Sequence, residues 1–163
     1  MREVRDSETS PMALAAYGFV ALFWLGMVCG VSFLATPVKF QATSMSLPVA
    51  LEIGNVTFAA FSRVEWALAV LLMMATVFVY RRRVLLLATA LLVVILAVQS
   101  FWLLPVLDAR MAAVIAGSPL PASMHHFIYA SGEGLKALLL LGASLCALFG
   151  LVRSHRVSGA AQG

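Results

Sequence analysis

The chain has 163 residues, of which 63% are hydrophobic and only 11% charged, against roughly 25% charged in soluble domains. Its mean hydropathy of +1.00 is carried by long apolar runs, not by alternation, which excludes a water-soluble globule and requires a bilayer as solvent. The net charge of +4 arises from 11 bases and 7 acids, and the bases sit at the ends of apolar runs instead of on one solvated face, which excludes a nucleic-acid-binding surface.

Residues 1–10 are polar and of mixed charge, and Pro11 opens an apolar stretch that predicts a first span over 12–35. That stretch exceeds the roughly 7–15 apolar residues of a signal peptide, so it reads as an uncleaved helix. The second run ends at Tyr80 against Arg81, Arg82 and Arg83. A helix needs about 20 residues to cross the hydrocarbon, which sets the span at 61–80. The third span covers 84–104 and is expected to stop at Pro105; the fourth covers 123–152, with Ser123 as N-cap and Arg153, His155 and Arg156 after it. Between spans, the stretch from Pro48 toward Phe61 and that from Leu107 to Ala116, closed by Gly117, are too apolar for free loops and predict short interfacial helices. The fold class is therefore all-α: a four-transmembrane-helix bundle in a single membrane domain.

Arg2, Arg5, the three turn arginines, Arg153 and Arg156 fall on one side of the membrane, and Lys39, Arg63 and Arg110 on the other. The positive-inside rule makes the first side cytoplasmic, with both termini there. The tight arginine turn makes the second and third spans antiparallel neighbours. Cys29 and Cys146 fit no CxxC or metal spacing and are expected to be free. Gly26 and Gly30 form a GxxxG step, and Ala130, Gly134, Gly142, Ala143 and Ala147 give the fourth span small faces; packing within the bundle is the expected use, homodimerisation the alternative.

Charged side chains inside a span cost about 2.5–3.5 kcal/mol at the bilayer centre, so each needs a reason. Counted from the arginine ends at 1.5 Å per residue, Arg63 and Glu65 lie about 27 and 24 Å up, Gln99 about 24 Å, Glu133 about 30 Å and Lys136 about 25 Å. His126, Tyr129, Glu133 and Lys136 share a helix face within an arc of about 80°. One reading is a structural ion-pair layer of zero net charge, Glu133 with Arg63 and Glu65 with Lys136, Gln99 filling a remaining position. The other is the floor of an outward-facing cavity, where His126, Glu133 and Glu65 can bind a metal, relay protons or hold a polar ligand. Met73, Met74 and Met111 mark where a copper site would be sought. Asn55-Val56-Thr57 fits a glycosylation sequon, a short pattern that chance often produces. There is no GxSxG, P-loop, HExxH or dinucleotide fingerprint.

Ala35-Thr36-Pro37-Val38-Lys39-Phe40, Arg63-Val64-Glu65-Trp66 and Leu104-Pro105, with Arg110, Gly117, His126, Tyr129, Glu133 and Lys136, resemble the pattern of bacterial four-helix inner-membrane proteins grouped as a conserved-hypothetical family with a domain of unknown function. The likeness covers most of the chain except the termini. It implies four helices in a bacterial plasma membrane and carries over no catalytic residues or cofactor. The functional expectation is a non-enzymatic bundle that binds a ligand or partner through its polar layer. The alternatives are a membrane enzyme or metal/redox protein using His126, Glu133 and Glu65, and a small transporter acting as an oligomer. The lipid bilayer is the one certain partner; a homo-oligomer or a membrane partner is compatible with the pattern.

Overall fold

A computed structural model describes residues 10–79, 81–118 and 120–160, with the side chains of 155–160 excepted. Arg2, Arg5 and Tyr80, and the side chains of His155 and Arg156, thus lie outside the described residues. Four long helices are present: α1 Pro11–Lys39, α2 Leu47–Phe78, α3 Arg83–Ile115 and α4 His125–Ala160. Each is long and apolar enough to cross a membrane, as the all-α four-helix reading expected. Each helix packs on two others in the ring α1–α2–α3–α4, the α1–α4 contact being the most extensive, so α1 and α3 occupy opposite corners.

The helices are buried on one stripe and apolar all round, the pattern lipid demands. In α1 the buried Leu14, Tyr17, Ala21, Trp24 and Val28 recur at helical spacing, while Met12, Phe19 and Phe23 are exposed to the surroundings. Gly18 lies in the α1–α4 seam, where an added Cβ would meet Ala147 at 3.6 Å. Gly26 and Gly30 have open space beside them, so the GxxxG step takes no part in packing within the bundle, contrary to expectation. Cys29 and Cys146 are free.

The short interfacial helices are absent as separate elements among the described residues. Pro48 sits in the first turn of α2, where its missing N–H is harmless, and α2 runs unbroken for 32 residues. Pro105 does not stop the third span either. The π-helical stretch Gln99–Leu103 precedes it, with the Leu104 N–H reaching back to the Gln99 carbonyl, and α3 continues to Ile115. Local π geometry of this kind absorbs the hydrogen bond that proline removes. The same device recurs in α1, where the π stretch Cys29–Ala35 precedes Pro37 and the Thr36 hydroxyl donates to the Val31 carbonyl at 2.8 Å. With 29 to 36 residues apiece, the helices are about 44–54 Å long, so they overrun a hydrocarbon core of about 30 Å.

Candidate functional site: a closed ion cluster beneath an open cavity

Two polar regions lie toward the end of the bundle away from the arginine turn. The deeper one is a closed ion cluster. Lys136 Nζ of α4 lies 2.5 Å from Glu65 Oε1 of α2 and 2.7 Å from Glu133 Oε1 of its own helix. Lys136 is 0% exposed and both carboxylates 1%, so the lysine does not snorkel to the boundary. Neutral donors complete the shell. Trp24 Nε1 donates to Glu65 Oε1 at 3.0 Å, Ser32 Oγ to Glu133 Oε2 at 2.7 Å, and Gln99 Nε2 to Glu133 Oε1 at 2.9 Å. All four helices therefore contribute. Ser32 and Gln99 both stand in the π stretches, so each register shift that accommodates a proline also delivers one donor to Glu133.

Arg63 does not belong to this layer. It is exposed on α2, and the ion pairs of Glu65 and Glu133 are both made by Lys136. Two residues along a helix turn the side chain by about 200°, so Arg63 and Glu65 have similar depth but opposite directions. The expected pairing of Glu133 with Arg63 is corrected to Glu133 with Lys136, and the formal charge of the cluster becomes one ammonium against two carboxylates instead of zero.

The second region is a cavity of about 350 Å³ above the cluster, walled by α1 (Thr36, Lys39), α2 (Leu51, Gly54, Phe58), α3 (Leu104, Leu107, Asp108, Met111) and α4 (His126, Tyr129). Tyr129 separates the two regions. Its ring stands edge-on to Phe58 with centroids 5.4 Å apart, and its backbone carbonyl accepts Gln99 Nε2 at 3.2 Å. Of the seven residues singled out from the sequence, Glu65, Gln99, Glu133 and Lys136 meet in the closed cluster. His126 and Tyr129 line the cavity, and Arg63 joins neither.

His126, Glu133 and Glu65 do not converge on a metal. Among the described residues no group of three His, Cys, Asp or Glu side chains could hold one, and the carboxylates already face donors. Met73 and Met74 are exposed on α2 while Met111 lines the distant cavity, so the three do not form a thioether site. Sequence reasoning missed Trp24 and Ser32 as cluster donors, and Lys39 and Asp108 as cavity residues. Asp108 carried a usable signal: an acid in an otherwise apolar segment needs a reason as much as one in a span.

Two smaller hydroxyl clusters hold the remaining seams. Tyr17 and Thr76 each lie 3.0 Å from the Thr89 hydroxyl, joining α1, α2 and α3, and Ser62 and Trp66 of α2 meet the Ser100 hydroxyl at 2.9 and 3.1 Å. No known protein family, curated protein or solved structure matches the chain.

Proposed function

We propose that the protein is a non-enzymatic bundle of a bacterial inner membrane that binds an amphiphilic ligand in the cavity at its outward end, with both termini in the cytoplasm. The observation that carries this reading is the cavity itself: largely apolar walls with a few convergent polar groups, at a volume near the lower end of the roughly 300–1,000 Å³ typical of ligand pockets. Its charged groups differ from those of the ion cluster below in lacking an ionic partner among the described residues. Asp108 Oδ1 is buried without a hydrogen-bond partner, and Lys39 and Asp108 form no ion pair. A buried acceptor without a donor is costly, and a ligand donor would relieve it. The arginine turn supports the orientation, since three adjacent bases resist transfer across the membrane.

The ligand arm is tested by filling the cavity. Leu107→Trp, with Met111→Phe as an independent second variant, should lose the amphiphile that the native protein retains through mild detergent purification, as read by mass spectrometry of bound lipid. An identical complement in native and filled proteins, including none in either, overturns the reading. For orientation, a cysteine at Arg83 should stay unlabelled by an impermeant thiol reagent on intact cells, and labelling there inverts the topology.

A further inference from the structure

We infer that the cavity selects a zwitterionic membrane lipid whose head carries an anionic group and a primary ammonium, the first held by Lys39 and the second by Asp108. This rests on the cavity being a ligand site, and it adds the chemical class. Lys39 and Asp108 come from α1 and α3, which stand at opposite corners of the ring, so a cation and an anion line one cavity from different sides without neutralising each other.

The position of the lysine is defined by its neighbours. Its Nζ lies against the backbone of Gly54, where a Cβ would collide with it, and 5.0 Å from the Phe40 ring centroid. The ammonium is thus folded in against the α2 wall. Asp108 presents a buried Oδ1 that no group of the described protein supplies with a proton donor. An anionic head would leave Asp108 unmatched and repelled, and a cationic head would do the same to Lys39. A head bearing both charges complements both. His126 and Tyr129 add hydrogen-bonding groups on the α4 side.

The Asp108 requirement narrows the ammonium further. Oδ1 needs an N–H or O–H donor, which a primary ammonium has and a quaternary one lacks. Depth agrees with a membrane source. Counted at 1.5 Å per residue from the arginine ends, Asp108 lies about 38 Å up and His126 about 40 Å, beyond a hydrocarbon core of about 30 Å and within the headgroup zone of the far leaflet.

The test uses the full chain in a non-ionic detergent and three probes with the same single acyl chain: lysophosphatidylethanolamine, lysophosphatidylcholine and lysophosphatidylglycerol. Native mass spectrometry or thermal-shift titration should rank the ethanolamine head first, by about tenfold over choline, whose quaternary nitrogen leaves Asp108 Oδ1 without a donor, and ahead of the glycerol head, whose hydroxyls can donate to Oδ1 but whose uncompensated negative charge Asp108 repels. Asp108→Asn should erase the preference for ethanolamine over choline, and Lys39→Gln should weaken both zwitterions. Equal binding of the three heads, all lost in Leu107→Trp, overturns the head selection and leaves the cavity reading standing. Binding of any head that survives both cavity-filling variants overturns the cavity reading instead. Should Asp108→Asn fail to fold, the ranking on the native protein decides.

Discussion

Two polar regions about three helical turns apart on α4 behave oppositely. Around Lys136 every charged group has a partner and solvent is excluded, although the neutral Gln99 Oε1 lacks a donor; around His126 a cavity is open and the Asp108 carboxylate Oδ1 faces no donor. Ionisable residues within a membrane flag function by default, yet here that default divides. The cluster whose charges are paired internally locks the helices, and the cavity whose charges are not paired is equipped to recruit something else.

The sharpest way to break this division is at the shared ammonium. Lys136→Met leaves Glu65 and Glu133 buried together without a counter-charge, and breaking a buried ion pair in this way costs about 3–5 kcal/mol. We expect a collapse of detergent thermal stability, partly recovered when Glu65→Gln is added. A native melting curve for Lys136→Met would remove the cluster from any structural role. Glu133→Gln should be milder, about 1–3 kcal/mol, because the Glu65–Lys136 pair survives while Ser32 and Gln99 lose an anionic acceptor. If Glu133→Gln proves worse than Lys136→Met, the lysine is not the centre of the cluster. At the cavity the order of effects reverses. His126→Ala should shift stability by no more than about 0.5 kcal/mol, being exposed, while weakening retention of bound amphiphile. A large melting shift with unaltered retention would make His126 a packing residue. Arg63→Gln should change neither, and any loss of stability comparable with Glu133→Gln would return Arg63 to the ion cluster.

Much of this was legible in the chain because two simple rules dominate in lipid. Apolar runs closed by arginines and prolines located four helices, and a rise of 1.5 Å per residue placed Glu65, Gln99, Glu133 and Lys136 at comparable depth. Depth alone misled at Arg63, where the 100° turn per residue decides, and Glu65 two positions on is the one that points inward. Trp24 and Ser32 were missed because an isolated indole or hydroxyl in an apolar run marks neither depth nor partner. Pro105 was read as a stop because a straight α-helix has no spare carbonyl geometry, whereas the π stretch before it supplies it, as another does before Pro37. The stretch before Pro105 carries α3 onward to place Asp108 on the cavity wall, so the misread proline and the missed Asp108 have one cause.

The i, i+3 placement of Glu133 and Lys136 has a consequence for biogenesis. A nascent α4 carries its own neutralised pair and can leave the insertion machinery without help from earlier helices. Glu65 is in a different position. Its basic partner lies 71 residues downstream, which at about 5–20 residues per second is roughly 4–14 s of synthesis. During that interval α1 is already made, and Trp24 is the donor it offers. Release of α2 into lipid is opposed by about 3 kcal/mol of unpaired charge until α4 arrives, which makes α4 the helix that commits α2 to the membrane.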